Sequence, residues 1–137
     1  MAYLLDTNVV SEAASRNPDP KVMEWYEKHA AECYLSCITL GEIRRGIHLM
    51  PAGKRRNTLD AWASRLFKEL PNPSLPVDAA VMEIWGDLYA KNQAGGLELD
   101  VLDSLIAATA IRHHLVVVTW NTADFPAEVK TLNPWLA

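Results

Sequence analysis

The scarcities in this chain of 137 residues exclude more than its common residues do. Positive charge is short: 13 lysines and arginines stand against 17 acids, a formal net charge of −4. Domains that hold nucleic acid through bulk electrostatics are strongly basic, so that mode is excluded, while a local basic patch is not. Cysteine occurs only as Cys33 and Cys37. No second Cys or His pair at zinc-ligand spacing accompanies them, and two thiols make no disulfide framework. They read as small buried side chains in a reducing compartment. No run approaches the ~20 apolar residues of a membrane span. No charged segment followed by an apolar stretch marks an export signal. The expected location is cytoplasmic, with no membrane partner. Gly95-Gly96 is followed by no matching Lys-Ser/Thr, so there is no glycine-rich phosphate loop. Repeats, low-complexity tracts and linkers are missing too.

What remains is an ordinary globular composition, half apolar and 22% charged, in a length suited to one domain with a real core. Tyr3-Leu4-Leu5 is an apolar run without polar alternation, which predicts a central strand covered on both faces and ending at Asp6. A short helix is expected over about 9–16. Asp19 as cap and Pro20 at the first helical position open a helix to about Ala30, with Val22, Met23, Tyr26 and Ala30 as its stripe. Cys33–Ser36 reads as the second strand. Thr39 and Glu42 have the spacing of a capping box and predict a helix beginning there, with Ile43, Ile47 and Met50 inward. Lys54–Leu70 reads as a helix with Leu59, Trp62, Leu66 and Leu70 buried. Pro71–Val77 is too proline-rich for more than an edge strand or extended segment. Asp78 caps a helix over Ala79–Ala94, with Val81, Ile84, Trp85, Leu88 and Tyr89 turned inward, and Asp100 a further one that ends near His113. Leu115–Thr119 and Val129–Leu132 are the last strands expected. Strands and helices alternating through short connections predict a single α/β domain over 1–137. Its central parallel sheet of four to five strands is flanked by helices as an α/β/α sandwich.

Four acids occupy comparable places in this scheme. Asp6 follows the first strand, Glu42 lies in the first turn of the third helix, Asp103 in the first turn of the late helix, and Asp124 beyond Leu115–Thr119. Singly, each has a capping or loop explanation. Together they predict a cluster at the carboxyl edge of the sheet, where open α/β sheets gather their sites. Carboxylates so close repel, so some must protonate or be neutralised by a cation. Hard oxygen donors with room for water suit Mg²⁺ or Mn²⁺, as one ion or two. The separations of 36, 61 and 21 residues exclude a local calcium loop, so the fold must assemble the cluster. No histidine stands near any of the four. His113 and His114 close the late helix beside its negative dipole end, and a Ser/His/Asp triad has no support.

Four stretches carry a resemblance: Leu4-Leu5-Asp6-Thr7-Asn8-Val9-Val10-Ser11-Glu12, Thr39-Leu40-Gly41-Glu42-Ile43-Arg44-Arg45-Gly46, Leu102-Asp103-Ser104-Leu105-Ile106-Ala107-Ala108-Thr109-Ala110 and Thr119-Trp120-Asn121-Thr122-Ala123-Asp124-Phe125. In this order they resemble the successive motifs of PIN-domain proteins, nearest to the VapC/FitB-type toxin ribonucleases of bacterial type II toxin–antitoxin modules. The likeness continues to Leu132-Asn133-Pro134-Trp135. It implies a toxic endoribonuclease that hydrolyses RNA phosphodiester bonds with Mg²⁺ or Mn²⁺. Asp6, Glu42, Asp103 and Asp124 would be its catalytic and metal-holding quartet, Glu42 by way of a water. Asn8, Thr119 and Asn121 would orient carboxylates or waters from behind.

The resemblance also implies partners. A cognate antitoxin would place a basic side chain in the acidic pocket and carry a DNA-binding domain, so operator DNA would be reached only through it. A homodimer, or a higher toxin–antitoxin assembly, is implied as well. Arg44, Arg45, Lys54, Arg55 and Arg56 are the candidates for RNA phosphates or antitoxin acids. Trp25, Tyr26 and Trp62 are candidates for an interface or for plain core. Two positions depart from the pattern. Trp120 stands where many relatives carry a basic residue, and an indole would stack on a base rather than grip a phosphate. Asp100 adds an acid where a neutral residue is expected.

Two other classes compete. A non-catalytic PIN-like binding module, acting within an antitoxin and DNA complex, has no need of a divalent site, yet all four acids are present. A phospho-acceptor receiver domain needs a basic group at a late strand end, where Trp120-Asn121 stands instead.

Overall fold

The computed structural model describes residues 1–137. Strand β1 (Tyr3–Leu5) leads straight into helix α1 (Thr7–Ala13). Helix α2 (Pro20–His29), strand β2 (Cys33–Tyr34), and helices α3 (Cys37–Leu49) and α4 (Lys54–Lys68) follow. Then come α5 (Ala79–Ala94), α6 (Val101–His113), β3 (Val116–Val118) and β4 (Thr131–Leu132). The four strands form one sheet in the order β2-β1-β3-β4, and every pairing is parallel. Both central strands are the apolar runs that a sheet covered on two faces requires.

Alternation along those strands sorts the core. Tyr3, Leu5 and Val118 point to one face, where they meet Val9, Val10, Val22, Trp25, Ile43, Ile47 and Ala63 of α1 to α4. Leu4 and Val117 point to the other, where Leu88, Ile106, Ala107 and Ala110 of α5 and α6 cover them. Helix layers therefore enclose the sheet, as expected. Helix α6 lies close because the residues it turns to the sheet are small: Ala107, Ala108 and Ala110 are fully buried.

Several boundaries differ from expectation, and each has a local cause. Asp6 caps α1 through a bond from the Thr7 amide, so that helix starts at residue 7 rather than 9. The Thr39/Glu42 capping box does not form. Ser36 takes the cap instead, its Oγ accepting from the Ile38 amide at 3.0 Å, and α3 begins two residues earlier. Thr39 is left buried in the first turn, which frees Glu42 for another partner. Ser36 also leaves the second strand for that cap, so the β2 ladder ends at Tyr34. The Pro71–Val77 segment makes one parallel bridge, Leu75 to Ser36, on the outer edge of β2. On α2 the buried stripe is Val22 and Trp25 rather than Val22, Met23 and Tyr26. Trp25 meets Tyr3 edge-on at 4.9 Å and stacks on His29 at 4.5 Å, which makes it core. Tyr26 and Trp62 are half-buried and pack against that core. Cys33 is buried and Cys37 partly so, and both are free thiols. No helix is long and apolar enough to cross a membrane.

The close seating of α6 generates a prediction. Ala107→Leu adds three carbons where there is no room and should lower the unfolding free energy by about 1–3 kcal/mol in urea titration. The exposed Arg112→Ala on the same helix should stay within about 0.5 kcal/mol of the parent.

Candidate active site

Asp6 sits where β1 ends, and its backbone extends the sheet by one bond, its N–H donating to the Val118 carbonyl at 2.9 Å. Its side chain is 4% exposed. A carboxylate so buried must be bonded or it neutralises. Three donors serve it: the Thr7 amide to Oδ1 at 2.8 Å, and Asn8 Nδ2 (3.2 Å) and Thr119 Oγ1 (2.8 Å) to Oδ2. The donors are themselves interlocked. Asn8 Nδ2 also donates to Thr119 Oγ1 at 3.2 Å, and Asn8 Oδ1 accepts from the Trp120 amide at 3.1 Å. Thr119 Oγ1 accepts from the Asn121 amide at 3.0 Å, which uses the hydroxyl's full capacity. Of about four lone-pair sites on the carboxylate, one remains for a further ligand.

The other acids approach from three elements. Glu42, on α3, is held toward α1 by the Thr7 hydroxyl, which donates to Oε1 at 2.6 Å. Asp103 lies in the first turn of α6, capped by Asp100, whose carboxylate accepts the Asp103 amide at 3.0 Å. Asp124 lies exposed in the short turn after β3. Burial pushes the Asp103 carboxyl up from an ordinary 3.8 to about 7, and the charges of Asp6, Asp100, Glu42 and Asp124 push the same way. All four predicted acids therefore share one field. Burial also raises Asp6, against the pull of its three hydrogen bonds, with the Asp100 charge adding to the rise. Asp100 thus does more than cap: its charge bears on both central acids. No three of these side chains stand close enough together to hold a metal ion as they are placed here. The arrangement is an open, electron-rich rim with one well-anchored carboxylate.

The remaining sequence candidates divide. Asn8 and Thr119 enter the network, whereas Asn121 joins it through its backbone N–H and leaves its side chain exposed. Arg44 bonds Asp60 and Ser64 of α4. Arg55 donates to the Ala14 carbonyl at the end of α1, and Arg56 to the Met50 carbonyl and His48. Lys54 and Arg45 are exposed, and Arg45 borders a hollow shared with Glu42 and Leu102. Trp120 is 54% exposed at the rim, edge-to-face with Trp135 at 5.2 Å. Thr7 is the residue absent from the sequence candidates. Its signal was its place in Asp6-Thr7-Asn8, three polar residues immediately after a buried strand.

With this geometry in view, comparison with known proteins is direct. The family model of the PIN domain matches residues 3–127. The chain belongs to the PIN-domain family. Within it the chain is of the VapC/FitB toxin type. It is 39% identical to the plasmid stability protein StbB of Pseudomonas syringae pv. tomato, over 98% of this chain and 99% of that protein. A VapC ribonuclease of Sinorhizobium fredii is 37% identical, over 96% of each chain. The toxin FitB of Neisseria gonorrhoeae is 36% identical over 96% of this chain and 97% of that one. Among solved structures, FitAB bound to a DNA fragment superposes with a TM-score of 0.90 at 35% identity, over 97% of this chain and 95% of that one. FitAcB from Neisseria gonorrhoeae gives 0.88 at 36%, over 97% and 98%.

The acidic rim of this PIN domain predicts a pH dependence of stability for the metal-free chain. Folded Asp103 keeps its proton up to about pH 7, while the unfolded chain releases it near 3.8. Between those values the folded state binds more protons, so stability rises as pH falls from 7 toward 4. Asp103→Asn removes the charge at similar size. In EDTA at pH 8 it should raise the unfolding free energy by about 1–2 kcal/mol once solvent screening is allowed for, and the gain should vanish at pH 4.

Proposed function

We propose that this PIN domain is a toxin endoribonuclease that hydrolyses RNA phosphodiester bonds with a divalent ion, Mg²⁺ or Mn²⁺, held by Asp6, Asp103 and Asp124, with Glu42 joining through a water. The observation that carries the reading is the anchored carboxylate of Asp6, held by Thr7, Asn8 and Thr119 where β1 ends, beside an Asp103 carboxyl that burial, and then the charges of Asp6, Asp100, Glu42 and Asp124, push up to about 7. The donor set is all hard oxygen, open to solvent and over-supplied with negative charge, which fits these two cations. When bound, the ion would lower the pKa of a water and offset the charge that develops on the scissile phosphate.

The chain's own residues have distinct tasks in this reading. Asp6 is the rigid member, because three hydrogen bonds leave its carboxylate no freedom to turn away. Thr119 and Asn8 hold it and tie it to β3. Thr7 aims Glu42 at the rim. Asp103, whose carboxyl stands at about 7 in the metal-free chain, would supply one of the oxygens that hold the ion. Asp124, exposed on the last turn, closes the site from the strand side. Names of relatives support the activity, since they include a VapC ribonuclease and the toxin FitB.

A cognate antitoxin is the proposed protein partner, because FitAB is seen as a complex bound to a DNA fragment. DNA would be reached only through that partner, consistent with a toxin chain whose net charge is −4. A homodimer is part of the same proposal.

Purified chain should cleave single-stranded RNA in Mg²⁺ or Mn²⁺ and stop in EDTA. Asp6→Asn or Asp103→Asn should lower the rate by more than about 100-fold, and Thr119→Val by roughly 10- to 100-fold. Thermal unfolding should show that each variant is folded. Undiminished cleavage by either aspartate variant, or in EDTA, would sink the assignment. Titration calorimetry with Mn²⁺ separates the inert-module reading, in which no heat of binding appears.

A further inference from the structure

Trp120 is the one aromatic among the large apolar side chains left exposed, and it stands at the rim of the acidic site. Its position is fixed from three sides. Its amide is held by Asn8 Oδ1, and Asn8 in turn bonds Asp6, so two hydrogen bonds separate the Trp120 backbone from the anchored carboxylate. The preceding Thr119 donates directly to Asp6. The indole is braced by Trp135 through a single edge-to-face contact, with ring centroids 5.2 Å apart and planes at 78°. With 54% of its surface open, the ring is presented rather than packed. Asn121, Thr122, Ala123 and Asp124, which follow it, are all exposed, so the ring stands in a polar loop on that side, with exposed Leu136 beyond Trp135 on the other.

Charge narrows the choice of ligand. The rim is negative, and Arg44, Arg55 and Arg56 are engaged with their own helices' neighbours. Arg45, beside Glu42, and Lys54 are the exposed cations among these basic residues, so phosphate contacts there are few. Stacking on an indole is charge-neutral and works for every base. We propose that Trp120 takes the nucleobase next to the scissile phosphate of a single-stranded RNA, and that this stacking supplies the hold on substrate that the acidic rim cannot. The proposal rests on the ribonuclease reading of the site. The Trp135 brace sets the ring's angle, and the Asn8 bond ties the Trp120 backbone to the group that holds Asp6.

The test uses the whole chain and a single-stranded oligoribonucleotide whose cleavage position has been mapped with the parent protein. Trp120→Ala should raise KM by about 10-fold with kcat little changed. Trp120→Phe should recover most of the loss, because it keeps an aromatic face. An abasic nucleotide at one position beside the cleaved bond should penalise the parent but add nothing to the penalty of Trp120→Ala. An unchanged KM would overturn the proposal, as would a Phe variant as defective as Ala, or penalties that multiply independently. A Trp120→Ala chain that cleaves normally but binds its antitoxin more weakly assigns the indole to the protein partner and overturns it too. Parent protein that cleaves no RNA removes the ribonuclease reading and this one with it; parent protein that cleaves while Trp120→Ala matches it removes this one alone.

Discussion

A buried carboxylate that must be satisfied governs this structure. Asp6 is 4% exposed, and the donors that make a carboxyl group tolerable there come from both sides of a strand pairing. Thr7 and Asn8 follow Asp6 on its own chain, and Thr119 follows β3. The register Leu5 opposite Val118 is what sets Thr119 beside Asp6. A slip of one residue would turn Thr119 to the other face of the sheet and leave the carboxylate short of its strongest side-chain donor. Sheet register and site integrity are therefore one constraint, and α1 shares in it because Asp6 is also its cap.

The other acids show which force wins at the rim. The start of α6 favours negative charge, but a helix end is worth only about 0.3–1 kcal/mol at an exposed position. The rise of Asp103 to about 7 means that burial and four neighbouring carboxylates outweigh it. Asp103 is carried to the rim by the first turn of α6, whose Ile106, Ala107 and Ala110 pack with Leu4 and Val117. A stable packing arrangement thus sustains an unstable charge arrangement. Such tension is common at sites built to receive a cation.

Positive charge is handled in the opposite way. Arg44 joins α3 to α4 through Asp60 and Ser64, and Arg55 joins α4 to the end of α1. These are surface pairs of modest individual worth, yet they keep the helices around the mouth in register with one another. The consequence is a nuclease-family chain whose site has anchored acids, few uncommitted cations and one exposed indole.

Composition and pattern alone indicated the α/β class, the parallel sheet, the Asp19, Asp78 and Asp100 caps and the placing of four acids at comparable points, while the family came from the resemblance of four motifs. Such features follow from local periodicity and from residue types at chain separations that any fold must respect. Asn8 and Thr119 were offered as supports by the family resemblance, not by periodicity. What depends on contacts between distant segments was not readable. Ser36 defeats the Thr39 cap because the end of β2 delivers it to the helix start. Thr7 is recruited by a glutamate 35 residues away. Trp25 displaces Tyr26 from the core because Tyr3 and His29 are there to receive it. Asp100 becomes a fifth charge at the site as well as a cap. In each case several local options lie close in energy, and only the packed tertiary structure, by placing a partner beside one of them, decides between them.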